Sequence, residues 1–140
     1  MPDRVFTIEE ANALIPRLEI ILSQLQQHSR VLRDVISDLS EASGEVPDDL
    51  TTEELLALRP EVRPVATAME GLLRDIEATG AQFKGLALGL VDFPAEIDGE
   101  DILLCWQYGE KEIGYYHTPD GGFAGRKPLH AAGARVRSLQ

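Results

Sequence analysis

The chain has 140 residues, enough for one domain with its own hydrophobic core, and its 44% hydrophobic and 26% charged residues are typical of a globular protein. No apolar run reaches the roughly 20 residues that a membrane helix needs, and the N-terminus MPDRVFTIEE has no signal-peptide pattern, so we expect a cytoplasmic protein. The net charge of −11 repels phosphate backbones and disfavours nucleic acid as a partner.

The first predicted element is a long helix that begins after Thr7. In FTIEEA the Thr7 hydroxyl can accept from the backbone N–H of Glu10, whose carboxylate can reach back, and Phe6 can pack on the first turn. Pro16 removes a helical hydrogen bond, so a kink or a restart is expected there. Apolar residues recur in a heptad pattern as far as about Ser40, and the members of this pattern are Ala11, Leu14, Leu18, Ile21, Leu25, Leu32, Val35 and Leu39.

A second helical region is interrupted by proline. The segment TTEELLALRP predicts a short helix that is capped by Thr51 or Thr52 and ended by Pro60. A longer helix begins near Pro64 and ends near Gly80. Its apolar residues repeat with the period of the first helix, so the two long helices are predicted to form an antiparallel, coiled-coil-like hairpin.

The next segment changes from a helical to a strand-like apolar period. The pair Asp98 and Gly99 between two apolar runs is a strong signal for a β-hairpin. The chain reverses again between Glu110 and Lys111, which predicts a three-stranded antiparallel meander. The helices are expected to cover one face of this meander.

Counting outward from the two reversals sets the expected register. The first reversal places Asp92 opposite Cys105, and the second places Leu104 opposite His117. Cys105 and His117 then point to opposite faces, so they should not bind the same ion. The apolar face, expected to meet the helices, carries Val91, Phe93, Ala95, Ile102, Leu104, Trp106, Tyr108, Ile113, Tyr115 and His117.

The complete prediction is a single α+β domain over residues 1–129. Its helices occupy about 7–80, and the meander with its following loop occupies about 86–129. A basic C-terminal tail follows over residues 130–140.

Four segments carry a resemblance to a known family: FTIEEANALIPRL, GLVDFPAEIDG, LLCWQYGEKEIGYYH and GGFAGRKPL. They resemble the DUF2203 family of short bacterial proteins, a domain of unknown function, over the first helix and nearly all of residues 80–129. The resemblance implies no particular reaction. The chain departs from the family pattern at Gly85 and Thr118, where acids are common, and in a longer stretch from about Ser40 to Pro60. The marked positions of the family fall on Asp92, Cys105, Trp106, Glu110, His117, Phe123 and Arg126.

Side chains that can carry chemistry concentrate in and after the meander. Carboxylates and an imidazole are ligands of zinc, manganese and non-haem iron, so His117, Glu110 and Asp92 are the candidate ligands of a divalent metal. The spacing signal is weak, because no HExxH or paired-histidine motif accompanies it. The favoured alternative is a partly buried His117 that a loop carbonyl or Glu110 holds by a hydrogen bond.

Arg126, Trp106 and Glu110 are the candidate ligand-binding residues. Arg126 can pair with Glu110 or Asp92 and hold the loop to the sheet, which is the favoured interpretation, or it can bind a small anion. Cys105 is expected to be a packing residue, since a neighbouring carboxylate raises the pKa of a thiol and lowers its reactivity. No catalytic residue can be assigned, and a divalent metal is the one cofactor that the residues suggest.

Three classes of function remain open. A non-enzymatic interaction module, forming a homodimer or binding a partner helix through the heptad-patterned helices, needs only features visible in the sequence and is placed first. A metal- or small-anion-binding protein, extending to a metal-dependent enzyme, needs His117, Glu110, Asp92 and Arg126 to converge. A regulatory adaptor bound through the basic tail is the third class. Neither a membrane nor nucleic acid is an expected partner.

Overall fold

The chain folds as a set of helices followed by one antiparallel sheet. The structure is a computed structural model, and it describes residues 4–43 and 51–129. The five strands lie in chain order in the sheet, and every neighbouring pair is antiparallel. The elements are α1 (Ile8–Ser43), α2 (Thr52–Leu58), α3 (Arg63–Ala78), β1 (Gln82–Gly85), β2 (Leu90–Ile97), β3 (Glu100–Gln107), β4 (Tyr115–His117) and β5 (Lys127–Pro128).

The α+β class is therefore confirmed, but the sheet has five strands rather than the expected three. β1 was missed because a four-residue strand with Lys84 and Gly85 lacks the β-branched residues that favour strands. β5 has only two residues, too few for a periodic pattern to appear. The basic tail expected over 130–140 lies outside the described residues.

Helix α1 begins where the sequence predicts. The Glu10 N–H donates to Thr7 Oγ1 at 3.0 Å, and the Thr7 N–H donates to Glu10 Oε1 at 2.8 Å, so the expected reciprocal cap forms. The helix continues through Pro16, and the expected restart does not occur. Buried side chains on both sides of the proline, Ile15 and Leu18, attach both segments of the helix to the same core.

Helices α2 and α3 also begin close to their expected positions. The Thr51 hydroxyl accepts from the Glu54 N–H at 3.1 Å and caps α2, while α3 begins at Arg63, next to Pro64. α3 packs against α1 and contributes the fully buried Ile76 to the core. The antiparallel, coiled-coil-like arrangement of the two long helices stays a prediction. Within the described ranges, no helix combines the length and the apolar character needed to cross a membrane.

The main hydrophobic core lies between the helices and one face of the sheet. Its fully buried members come from both layers and include Phe6, Leu18, Leu22, Leu25, Ile76, Phe93, Leu104 and Trp106. Each such side chain stabilises the fold by about 1.5–3 kcal/mol relative to an exposed position. A smaller cluster of Leu39, Leu55 and Val62 packs along the second half of α1. Much of the heptad pattern is thus buried within the chain itself.

The hairpin between β2 and β3 has the expected register. Asp98 and Gly99 form its turn with φ values of 52° and 83°, the left-handed conformation that this two-residue turn requires. Asp92 pairs with Cys105 as expected. Local turn chemistry was sufficient to fix this part of the sheet.

The next reversal differs from the expectation by one residue. His117 pairs with Leu103, and not with Leu104. Because Leu103 pairs with His117 and Cys105 with Tyr115, the register is centred on Glu110 itself, and an odd number of residues separates the paired positions. The sequence pattern did not reveal this parity, because the loop contains no two-residue turn signal.

A shift of one residue in the pairing of β4 with β3 moves every β4 side chain to the face opposite the expected one. His117 and Tyr115, expected on the side that the helices cover, lie on the opposite face, together with Asp92 and Cys105. Tyr116 takes their place and packs against the core. The expectation that Cys105 and His117 point to opposite faces is therefore wrong.

Candidate metal site

The outer face of the sheet, which points away from the helices, carries three buried side chains of ligand type. Asp92 from β2, Cys105 from β3 and His117 from β4 follow one another across neighbouring strands, and each is at most 3% exposed. One potential ligand atom from each lies within 4.8 Å of the other two. They form the one group of three or more His, Cys, Asp or Glu side chains at ligand spacing among residues 4–43 and 51–129.

The hydrogen bonds of His117 define which ring nitrogen faces the group. Its Nδ1 lies 2.7 Å from the Thr118 carbonyl oxygen, which can only accept, so Nδ1 carries a proton and donates it. Its Nε2 lies 3.0 Å from Asp92 Oδ2. In a neutral imidazole this Nε2 has a lone pair facing the carboxylate, so a proton or a cation must lie between the two groups.

The Asp92 carboxylate is only half satisfied. Its side chain is 4% exposed, and Oδ1 has no hydrogen-bond partner within the described structure. Burying a carboxylate oxygen without a donor costs several kcal/mol in protein interiors. Asp92 Oδ1 is therefore a buried oxygen that a further donor or a cation could satisfy.

A cavity of about 280 Å³ lies beside the three side chains. Besides them, its lining consists of Lys84, Leu90, Leu103, Pro119, Gly122 and Phe123. The loop after β4 supplies the last three of these residues, so it forms one wall of the cavity. A cation held by the three side chains would still be reachable by a small ligand.

Burial, followed by the neighbouring Asp92 carboxylate, raises the pKa of Cys105 from 9.0 to about 12. The direction agrees with the sequence-based expectation, although burial is the larger cause. In the metal-free chain Cys105 is a neutral thiol at physiological pH and a poor nucleophile. A bound transition metal removes the thiol proton outright, so the same buried position suits a metal ligand.

The raised pKa of Cys105 predicts that the thiol reacts slowly and that the folded protein loses stability at alkaline pH. In the folded, metal-free protein we expect alkylation by iodoacetamide at about pH 8 to be at least about tenfold slower than in denaturant. Because the folded pKa exceeds the unfolded one, the thiol stabilises the fold below about pH 9, and this contribution is lost as the pH rises toward about 12.

Urea denaturation at about pH 8 and about pH 10 measures the alkaline effect. The matched variant Cys105→Ala should lose less stability over this interval than the wild type. Equal pH dependence of the two proteins, or rapid alkylation of the folded wild type, would contradict the assignment.

Arg126 and Glu110 form a second polar group next to the site. Arg126 Nη2 donates to both Glu110 carboxylate oxygens, at 2.9 and 3.0 Å, and to the Cys105 carbonyl oxygen at 3.3 Å. The guanidinium lies 4.0 Å from the centre of the Tyr115 ring and 5.0 Å from that of Phe123. The pair anticipated from the sequence is present, and it attaches the loop that lines the cavity to the sheet.

The remaining candidates do not reach the cavity. Trp106 is fully buried in the core on the other face, and its Nε1 donates to the Glu110 carbonyl oxygen at 2.8 Å. The Glu110 carboxylate is occupied by Arg126 and by the Gln107 N–H, which donates at 2.6 Å. Glu110 closes the irregular turn and does not join the three-residue group.

The set of metal candidates is corrected in one position. Asp92 and His117 come together as expected, and Cys105 takes the place of Glu110. Cys105 was not expected to join His117 because the predicted register places the two side chains on opposite faces. The one indication in the sequence that Cys105 belongs to the site was that it falls on a marked position of the family.

Comparison with known proteins identifies the family to which the chain belongs. A family model described as "Uncharacterized conserved protein (DUF2203)" matches residues 4–129, a range that includes the three-residue group and the Arg126 and Glu110 pair. No curated protein and no solved structure matches the chain. The match covers most of the 140 residues, in agreement with the resemblance seen in the sequence, and the chain belongs to the DUF2203 family.

Proposed function

We propose that the protein binds a divalent transition metal, with zinc as the expected ion, through Asp92, Cys105 and His117. The observation that carries this proposal is the buried Asp92 carboxylate, one oxygen of which has no partner in the described structure although an imidazole and a thiol lie beside it. His117 Nε2 and Asp92 Oδ2 face each other at 3.0 Å, and Asp92 Oδ1 has no partner in the described structure. A cation held by the three side chains would give the carboxylate and the imidazole lone pair a positive partner.

The chemistry of the donors favours zinc over a hard cation. Thiolate, imidazole and carboxylate are all zinc ligands, whereas magnesium and calcium prefer oxygen donors alone. Ligand atoms around tetrahedral zinc are roughly 3.3–3.8 Å apart. The three atoms here lie within 4.8 Å, so rotation of the side chains by a small amount brings them to binding distance.

The surroundings of His117 support the same ion. Metal-binding histidines almost always donate their second ring N–H to a carbonyl or carboxylate, which fixes the orientation of the ring. His117 does this through Nδ1 and the Thr118 carbonyl oxygen at 2.7 Å. One carboxylate and one thiolate also neutralise a divalent ion, so the complete centre carries no net charge in its buried position.

The metal content of the untagged protein tests this proposal. After incubation with zinc and removal of the excess, we expect one zinc ion per wild-type chain by elemental analysis and a stoichiometric loss in His117→Ala. His28→Ala removes a half-buried histidine from α1 and serves as the control that should retain the zinc. A wild-type protein without stoichiometric zinc, or a His117→Ala variant that retains it, would refute the proposal.

Self-association through the helices is the second candidate. Ile20 and Val31 on α1 are 62% and 44% exposed, and their spacing of eleven residues places them on the same side of a helix. In this proposal α1 and α3 form a coiled-coil-like antiparallel hairpin, and a second copy or a partner helix covers the two exposed side chains. The protein acts in the cytoplasm in either proposal. A strictly monomeric species in light scattering at high concentration would exclude the homodimer.

A further inference from the structure

We propose that the open position of the metal takes a small monocarboxylate, whose charge Lys84 balances and whose aliphatic chain lies in a groove on the outer face of the sheet. This inference rests on the proposed metal site. Three protein ligands leave one position of a tetrahedral zinc ion for a water molecule or a ligand. The cavity of about 280 Å³ is lined by the same three side chains, so it is the space that such a ligand would occupy.

The cavity continues along the sheet. A second cavity of about 480 Å³ shares Lys84, Leu103 and Pro119 with the first, which places the two next to each other. Its further lining includes Pro94, which pairs with Leu103 on the outer face, so that Pro94, Leu103 and Pro119 are its apolar side chains on that face. Ala95 and Ile102 also border it, although their side chains belong to the core on the other face. A ligand that reaches from the metal into this groove therefore meets polar groups at one end and apolar side chains at the other.

The charges favour an anion with a single negative charge. The metal with its carboxylate and its thiolate is neutral as a unit, whereas Lys84 adds one positive charge at the junction of the two cavities. Lys84 is exposed, and none of the ion pairs found among the described residues includes it. Asp101 is the one acid that lines the second cavity, and it does not line the first. A monoanion next to Lys84 and the metal is thus the complementary ligand.

Carboxylate is favoured over phosphate as the anion. A dianionic phosphate is usually held by arginine side chains or by several backbone N–H groups. In the described structure Arg126 Nη2 is paired with Glu110, and Arg126 does not line either cavity. One lysine, one metal position and an apolar groove fit a short aliphatic carboxylate better.

Cobalt-substituted protein provides the test, because the visible absorption of Co²⁺ changes when its fourth ligand changes. Acetate, butyrate and hexanoate are titrated into the wild type and two variants. We expect binding to tighten by about threefold for each added CH₂ that enters the groove. Lys84→Met should weaken hexanoate binding by about fivefold to tenfold, and the surface control Lys111→Met should leave it unchanged.

The readouts separate the two proposals. Absence of the cobalt spectrum before any carboxylate is added refutes the metal site and this inference with it. A normal cobalt spectrum that carboxylates do not alter refutes the inference alone. Affinity that does not depend on the length of the carboxylate would show that its aliphatic chain does not enter the groove, and would overturn the inference. Inorganic phosphate that binds as tightly as hexanoate would exclude the carboxylate assignment. Equal hexanoate affinity in Lys84→Met and wild type also overturns it.

Discussion

Asp92→Asn is expected to weaken zinc binding by about 100-fold or more without destabilising the metal-free protein. An amide in place of the carboxylate can donate to His117 Nε2 and keep the contact that now measures 3.0 Å. It also removes a buried charge whose Oδ1 has no hydrogen-bond partner in the described structure. The metal, by contrast, loses an anionic ligand. Stability and affinity should therefore respond in opposite directions.

Two measurements on the same samples separate these effects. Competition with a chelating dye gives the zinc affinity, and urea denaturation in the presence of a chelator gives the free energy of unfolding of the metal-free protein. Asp75→Asn, an exposed position on α3, is the matched control and should change neither quantity appreciably. If Asp92→Asn kept full zinc affinity and lost more than about 2 kcal/mol of stability, Asp92 would have a structural role only.

Arg126→Met is expected to destabilise the protein by about 3 kcal/mol. The Arg126 and Glu110 side chains are only 12% and 25% exposed, so the substitution leaves a largely buried carboxylate without its charged partner. The arginine also packs against the rings of Tyr115 and Phe123, and methionine replaces only part of that contact.

A double-mutant cycle with Glu110→Gln isolates the ion pair. The amide oxygen in this variant can still accept from the Gln107 N–H, so the turn keeps its hydrogen bond. We expect a coupling energy of about 2 kcal/mol from denaturation of the four proteins. Simple addition of the two single effects would show that the pair contributes nothing specific and that Arg126 acts through packing alone.

The sequence was sufficient wherever a short-range interaction decides the structure. The reciprocal cap of Thr7 and Glu10 and the cap at Thr51 depend on residues three positions apart, and both form as expected. The turn at Asp98 and Gly99 sets the pairing of Asp92 with Cys105 in the same way. These features need no knowledge of the rest of the fold.

The candidate site could not be assembled from the sequence because it depends on the length of one irregular loop. The connection over 108–114 is closed by the side chain of Glu110 and by its contact with Arg126, sixteen residues later. No local pattern encodes a turn that is closed in this way. An error of one residue in the loop then moved His117 to the wrong face of the sheet.

The interaction module, which the sequence placed first among the possible functions, takes second place once the structure is known. Heptad periodicity suggested a surface for a partner, but Leu18, Ile21 and Leu25 are already buried in the core of the chain. The grouping of Asp92, Cys105 and His117, with Asp92 Oδ1 lacking a partner in the described structure, is in contrast a property of the three-dimensional arrangement. Apolar periodicity predicts which side chains are buried, but it does not distinguish burial within the same chain from burial against a partner.

X-ray absorption at the zinc edge tests the metal site most directly, with the untagged protein loaded with one equivalent of zinc. We predict one sulfur neighbour at about 2.3 Å and nitrogen or oxygen neighbours at about 2.0–2.1 Å, and loss of the sulfur in Cys105→Ser. A zinc ion surrounded by nitrogen and oxygen alone in the wild type would contradict coordination by Asp92, Cys105 and His117.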